Sequence, residues 1–230
     1  MRKKLSIILF ILIISIFAVA CSNKKEKDNS NVLVTLVLDK GGVNDESFNQ
    51  LAWEGAKKAS IEYGIKIKYL ESNIDADYKS NLEQAVDLDS NLIIAVGFNL
   101  SEALKEAAIY YPKSSFAIID GSFDKIPENV TNINFDEGEA GYLAGLASAK
   151  TLDSNKFGFI GGISVPAVEN YKEGFEKGLL EVNPNIELSV QYANSFSDAA
   201  KGKAIATQMY NNDINCIMSA GGGVNNGVYE

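Results

Sequence analysis

The residues of this 230-residue sequence that could do chemistry are carboxylates, carboxamides, aromatic rings and glycines that follow predicted strands. They are Asp39, Gly41, Gly42, Asn44, Asp45, Ser47, Phe48 and Asn49 after the first strand, Gly97 to Asn99 after the third, Asp120 and Gly121 after the fourth, and Gly161, Gly162, Asn194 to Phe196 and Ala220 to Gly223 in the second half. In an open parallel sheet, ligands bind beyond the carboxyl ends of the strands. Aromatic faces stack on rings, and Asp and Asn hydrogen-bond to ring edges. The set predicts a pocket for a flat, neutral, hydrogen-bonding ligand.

Charge and composition exclude several other functions. Apart from Lys40, the residues at these strand ends include no cation. The scarcity of cations argues against a phosphorylated or carboxylate ligand. The sequence has no histidine and two cysteines, so a Ser-His-Asp triad, a His-ligated zinc and a four-cysteine metal site are excluded. A net charge of −9 argues against a nucleic-acid partner. No activated nucleophile or base is apparent, so we expect no enzyme, no catalytic residues and no metal.

Each candidate also has a purely structural interpretation. Asp45 stands where it could cap a helix, and Asp120 could cap the turn at Gly121. Phe48 begins an apolar helix face and could belong to the core. Phe196 precedes the capping pair Ser197-Asp198 and could be a hydrophobic staple. These alternatives stay open at the level of sequence.

The glycines near the C-terminus do not indicate a dinucleotide cofactor. The stretch from Gly221 to Gly227 resembles a dinucleotide loop, but Asn226 stands where the motif needs its last glycine. The stretch also follows the last predicted strand rather than the first. We therefore expect no nicotinamide cofactor, and no other cofactor is indicated.

Predicted strands and helices alternate along the chain, which is typical of an α/β fold with parallel sheets and right-handed crossovers. The predicted strands are 32–38, 65–70, 92–96, 116–119, 130–134, 157–160, 186–192 and 214–218. The predicted helices are 48–59, 78–87, 101–110, 138–149, 168–180 and 198–210, the third of them capped by Asn99 or Ser101. The alternation starts afresh after residues 135–138. This predicts two lobes, 32–135 and 136–230, with a cleft between them.

The N-terminus has the features of an export signal. Residues 1–20 combine a basic start with sixteen nearly unbroken apolar residues, too few for the roughly 20 that a spanning helix needs. Small residues precede Cys21, as in a bacterial lipobox, in which the thiol is acylated and becomes the new N-terminus. An ordinary signal peptide with an incidental cysteine is the alternative. Residues 21–31 are polar and read as a flexible tether.

The second predicted lobe looks incomplete. It reaches a third strand and then stops at Glu230, in the first turn of a further helix, with no closing strand. We expect the chain to be a C-terminally truncated fragment; a naturally short lobe with a frayed end is the alternative.

Several stretches resemble one family over residues 32–230. The most specific is DKGGVNDESFNQLAWEGAKKA, at 39–59; FAIIDG, EAGYLAGLASAK, KFGFIGGISVPAVENYKEGFEKG, NSFSDAAKGKAIATQMY and SAGGGVNNGVYE follow in the family's order. Together they are similar to the basic membrane protein family, which comprises substrate-binding lipoproteins of ABC importers, many of them similar to purine nucleoside receptors. The resemblance implies a type I periplasmic-binding-protein fold of two α/β lobes, without catalytic activity.

The resemblance also implies roles for individual residues. Asp39, Asn44, Asp45, Asn49 and Asp120 correspond to polar ligand contacts, Phe48 and Phe196 to two aromatics that sandwich a base, and Gly221 and Gly222 to glycines near a ribose. The family's ribose-holding Asp and Lys would lie beyond residue 230.

The implied function is capture of a purine nucleoside by lobe closure, for delivery to an ABC permease. The implied location is the extracytoplasmic face of the cell membrane, with a lipid anchor at Cys21. A receptor for a sugar or another small signal molecule, a nucleoside-cleaving enzyme and an adhesin-like lipoprotein are the alternatives.

Overall fold

The computed structural model describes residues 30–230. The predicted signal peptide 1–20, the lipidation site Cys21 and nearly all of the predicted tether 21–31 therefore lie outside the described residues. Within residues 30–230, strands and helices alternate and the strands form two separate parallel sheets. The predicted α/β class with parallel sheets is confirmed.

The elements follow one another in this order. The first sheet and its helices comprise β1 (Leu33–Leu38), α1 (Phe48–Tyr63), β2 (Lys66–Leu70), α2 (Asp77–Asp87), β3 (Leu92–Val96), a 3-10 turn (Phe98–Leu100), α3 (Ser101–Tyr110), β4 (Phe116–Ile119) and β5 (Val130–Ile133). The remaining elements are α4 (Glu137–Thr151), β6 (Lys156–Gly161), α5 (Pro166–Val182), β7 (Glu187–Tyr192), α6 (Ala199–Tyr210), β8 (Ile217–Ala220) and α7 (Val224–Tyr229).

The first sheet has the strand order β2-β1-β3-β4-β5, so β1 lies inside the sheet and pairs with both β2 and β3. Five of the six β1 residues are buried, as expected for a strand covered by helices on both faces. Leu38 of β1 pairs with Val96 of β3, and Val96 pairs in turn with Ile119 of β4. The carboxyl ends of β1, β3 and β4 are therefore level, and the loops after them share one edge of the sheet.

The second sheet has the order β7-β6-β8, with β6 in the centre. Three large side chains of this strand are fully buried. Phe157 and Phe159 lie under α5, and Ile160 lies under α6. Gly161 aligns with Tyr192 on one side and with Ala220 on the other. The three loops that follow these strands are thereby brought together at one edge.

Helices α4 and α5 pack with their backbones in close approach. A Cβ atom at Gly145 would overlap the carbonyl oxygen of Phe175, and a Cβ atom at Gly178 would overlap that of Tyr142. Gly141 of α4 and Gly174 of α5 make the same kind of close contact with the backbone of the facing helix. The absence of side chains at these positions lets the helix that follows β5 lie directly on the helix that follows β6.

Two local predictions are wrong. The last strand spans 217–220 rather than 214–218, because Ile214 is drawn into the core under α6, where its N–H donates to the carbonyl of Met209. Helix α3 has no side-chain cap, since Ser101 donates its hydroxyl to the carbonyl of Phe98 in the preceding 3-10 turn. In both places a tertiary or turn contact outweighs the local pattern.

The division into lobes 32–135 and 136–230 stays a prediction, although the two sheets lie on either side of it. None of the helices in residues 30–230 combines the length and the apolar character needed to cross a bilayer.

The packing of α4 on α5 yields a test by alanine substitution. We expect Gly145→Ala to lower the free energy of unfolding by about 1–3 kcal/mol, because the added methyl must push two helix backbones apart. The matched control is Gly55→Ala in α1, where a Cβ atom meets nothing within 4 Å. This control should raise stability by about 0.5–1 kcal/mol through helix propensity. Urea unfolding measures both, and equal effects of the two substitutions would contradict the close approach.

Candidate ligand-binding site

A buried carboxylate organises the end of β1. Asp39 is 9% exposed, and its Oδ1 accepts hydrogen bonds from Asn49 Nδ2 at 2.7 Å and from the N–H of Gly41 at 3.1 Å. Its Oδ2 receives only a long contact of 3.4 Å from Asn99 Nδ2. Asp39 thus joins the loop after β1, the first turn of α1 and the loop after β3, and one of its oxygens keeps most of its capacity to accept.

Asp45 caps helix α1. Its Oδ1 accepts from the N–H groups of Ser47 at 2.9 Å and Gln50 at 3.0 Å, and its Oδ2 accepts from that of Asn49 at 2.9 Å. Two of the helix's first N–H groups, those of Asn49 and Gln50, are satisfied in this way, together with the N–H of Ser47 just before the helix, which is the role of a capping carboxylate. Phe48 is the first residue of the capped helix, so the cap holds the backbone from which its ring projects.

A cavity of about 340 Å³, which we call the aromatic cavity, lies between the loops of the two sheets. Its size is near the lower end of the range for small-molecule sites, about 300–1,000 Å³. From the first sheet it is lined by Asp39, Asp45, Ser47, Phe48, Leu51, Gly97, Phe98, Asn99 and Asp120. From the second it is lined by Val165, Ala167, Val168, Tyr171, Phe196, Ser219, Ala220, Gly222 and Asn225.

The two predicted stacking rings reach this cavity from opposite sheets. Phe48 packs on the core around β1, and Phe196 packs on the core around β6, while each also lines the cavity. Gly162 makes room for the second ring, because a Cβ atom there would overlap the edge of Phe196. Both rings are therefore partly core residues and partly cavity walls, so the two sequence-level interpretations are compatible.

Asp120 lines the cavity and carries an unsatisfied buried acceptor. Its Oδ1 is buried without a hydrogen-bond partner, although the great majority of buried polar atoms have one. Its backbone, just after β4, is in the left-handed region with φ of 56°. Burial, together with the nearby charge of Glu137, raises the pKa of Asp120 to about 6.

Contacts join the two sides of the cavity. Asn226, in α7, donates from Nδ2 to the backbone carbonyl of Asp45 at 3.1 Å. Phe98, from the loop after β3, packs against the hydrophobic cluster that surrounds Phe159 and Phe175 on the other side. One polar and one apolar contact thus join the loops of the first sheet to the second.

Six of the nine residues predicted to bind the ligand line this cavity, namely Asp39, Asp45, Phe48, Asp120, Phe196 and Gly222. The other three are elsewhere. Asn44 is exposed, Asn49 is buried beneath Asp39, and the N–H of Gly221 donates to Asn225 Oδ1 at 2.9 Å. The assignment of all nine as ligand contacts stays a prediction.

Sequence reasoning missed Tyr171 and Asn225. Tyr171 lies in the second turn of α5 and reaches the cavity one helical turn beyond Val168. The sequence feature that could have indicated Tyr171 is therefore its spacing of three residues from Val168 on the helix, since it does not follow a strand. Burial and the charges of Glu137 and Asp120 raise its pKa. Among residues 30–230, no three Asp, Glu or Cys side chains are grouped so that they could hold a metal ion.

The fold and the cleft define a class of protein. A solved solute-binding protein of an ABC transporter system from Aeropyrum pernix K1 superposes with a TM-score of 0.77 and 27% identity, over 86% of this chain and 58% of that one. Two parallel α/β sheets with a cavity between their loops are the architecture of the periplasmic binding proteins of ABC transporters.

The family is shown by the sequence comparison. Residues 32–230 match the family described as ABC transporter substrate-binding protein PnrA-like (Bmp), and the chain belongs to this family. The "CD4+ T-cell-stimulating antigen" of Listeria innocua is 41% identical over 209 residues, which are 89% of this chain and 58% of that protein. The "ABC transporter nucleoside-binding protein BmpA" of Lactococcus lactis is 39% identical over 91% of this chain and 60% of that protein. The chain thus spans less than two thirds of the length of these relatives.

The raised pKa of Asp120 yields a test by pH. A carboxyl whose folded pKa is about 6, above the usual value near 4, favours folding when protonated, and this contribution is lost as the pH rises through 6. The melting temperature of Asp120→Asn relative to the wild type should therefore increase between pH 4 and pH 7.

The control for this test is Glu137→Gln, which removes the neighbouring charge. In that background the pH-dependent gain from Asp120→Asn should be smaller, because a smaller upward shift of the Asp120 pKa remains. A difference between wild type and Asp120→Asn that does not vary with pH would contradict the burial of this carboxyl.

Proposed function

We propose that this protein captures a purine nucleoside outside the cytoplasmic membrane and delivers it to the permease of an ABC importer. The observation that carries the proposal is the placement of Phe48 and Phe196, which line one cavity from opposite sheets. Membership of a substrate-binding family supports it. The Lactococcus lactis relative, which is named as nucleoside-binding, also supports it.

Stacking between the two rings would stabilise a bound base. A flat ring between two phenyl faces is desolvated on both sides, and base–aromatic stacking is worth about 1–3 kcal/mol per base. The rings belong to different sheets, so a stacked ligand also links the two sides. Binding and closure of the cleft are therefore one event, as in hinge-bending binding proteins.

The polar groups of the cavity favour a neutral ligand that carries N–H or O–H donors. Asp39 Oδ2 and Asp120 Oδ1 both have spare capacity to accept a hydrogen bond. Neither Lys nor Arg is among the described residues that line the aromatic cavity. A phosphate group there would meet carboxylates without a compensating cation, so a nucleoside fits better than a nucleotide.

The location belongs to the same proposal. Cys21 would carry a lipid after removal of residues 1–20, and residues 21–31 would let the folded part reach the permease. Nucleoside capture would then take place on the extracytoplasmic face of the membrane, with no catalytic step.

Isothermal titration calorimetry of the purified full-length protein tests the ligand class. We expect adenosine, guanosine or inosine to bind with a dissociation constant of about 1 µM or tighter, which is about −8 kcal/mol. Ribose and adenosine monophosphate should bind at least about tenfold more weakly, a difference of about 1.4 kcal/mol. The absence of heat with every nucleoside would refute the proposal. Release of free base from the nucleoside would show that the protein is a nucleoside-cleaving enzyme instead.

Substitution of the two rings tests the sandwich. Phe48→Ala and Phe196→Ala should each weaken nucleoside binding by about 1–3 kcal/mol through lost stacking. The control is Phe135→Ala, because Phe135 is 61% exposed and does not line the cavity. Calorimetry gives the affinities and thermal melting gives the stabilities. Unchanged affinity in either cavity variant, with a large loss of stability, would make that ring a core residue only.

A further inference from the structure

A second cavity of about 480 Å³ adjoins the aromatic cavity. The two cavities share Asp39, Phe98, Asn99 and Phe196 as lining residues. A ring held between Phe48 and Phe196 would therefore have an edge at Asp39 and Asn99, with the second cavity beyond it. The space beyond that edge exceeds the volume of the aromatic cavity itself.

The walls of the second cavity are more polar than those of the first, to which α5 contributes apolar side chains. From the first sheet it is lined by Lys40, Gly41, Asp75, Tyr78, Glu102 and Ala103, in addition to the shared residues. From the second it is lined by Ile163, Asn194, Ser195 and Ser197. The Ser195 hydroxyl accepts from the N–H groups of Ser197 at 3.1 Å and Asp198 at 3.2 Å, so this wall is an ordered turn.

The charged residues of this cavity determine which charge a bound group can carry. Lys40 is paired with Asp75 at 3.0 Å, and Glu102 is paired with Lys105 at 3.5 Å. Asp39, in contrast, forms no ion pair with any described residue, and its Oδ2 faces the boundary between the cavities. The single lysine on the wall is thus already neutralised, while a buried carboxylate remains to accept a donor or a positive charge.

We propose that the second cavity is a subsite for a polar, neutral or cationic substituent on the ring that stacks between Phe48 and Phe196. The protein's ligands would then include nucleosides whose base is modified at the edge that faces Asp39 and Asn99. The inference rests on the proposed function, because it needs a base in the aromatic cavity.

Calorimetry with substituted adenosines tests the subsite. The probes are adenosine, adenosine with an aminoethyl group on N6, adenosine with an aminoethylamino group at C2, and adenosine with a carboxymethyl group on N6. At least one aminoethyl compound should bind within about threefold of adenosine, and the carboxymethyl compound at least about tenfold more weakly than its aminoethyl counterpart. A loss of about 100-fold or more with both aminoethyl compounds would overturn the subsite, since no free space would then adjoin the base.

A substitution that fills the second cavity provides the structural test. Ser197 is exposed and lines the second cavity but not the aromatic one, so Ser197→Trp should raise the dissociation constant of the tolerated aminoethyl compound, relative to that of adenosine, about tenfold or more. Ala200→Trp is the matched control, because Ala200 is exposed three residues away and lines neither cavity, and it should leave the ratio unchanged. An unchanged ratio in Ser197→Trp would overturn the subsite. Failure of adenosine, guanosine and inosine to bind the wild type would instead refute the proposed function, and the subsite with it.

Discussion

The hydrogen bonds of the buried Asp39 carboxylate are the interaction on which the cavity depends. They tie the end of β1 to Asn49 in the first turn of α1 and to the loop after β3. Asp45 caps the same helix through the N–H groups of Asn49 and Gln50, and also accepts from that of Ser47, so Phe48 is held between two carboxylate networks. An unpaired buried carboxylate would be costly, and these donors offset its desolvation. The same arrangement leaves Asp39 Oδ2 with spare capacity to accept a hydrogen bond, and Asp120, which also lines the cavity, has a buried Oδ1 without a partner.

Much of this arrangement could be predicted from the sequence. Runs such as 33–38 indicate buried strands, and the carboxyl ends of parallel strands lie at one edge of a sheet. Polar and aromatic residues after β1 and β4 therefore had to lie near one another, and those after β7 had to lie at the corresponding edge of the second sheet. For this reason Asp39, Phe48, Asp120 and Phe196 could be named before any coordinates, and they line one cavity.

The rest depends on contacts that have no local signature. Tyr171 reaches the cavity only because α5 lies against α4, where paired glycines bring the two helix backbones together. The bond from Asn226 to the carbonyl of Asp45 joins residues 181 positions apart, which no short-range pattern can indicate. The shift of β8 has the same origin, because burial of Ile214 under α6 delays the start of the strand.

A ligand ring bound between Phe48 and Phe196 would link the two sheets. The most direct measurement is a crystal structure of the protein with a bound purine nucleoside. We expect the base to lie between the two phenyl rings, with its donors directed at Asp39 and Asp120. A nucleoside bound at any other place, or a base that contacts neither ring, would show that Phe48 and Phe196 do not form the ligand site.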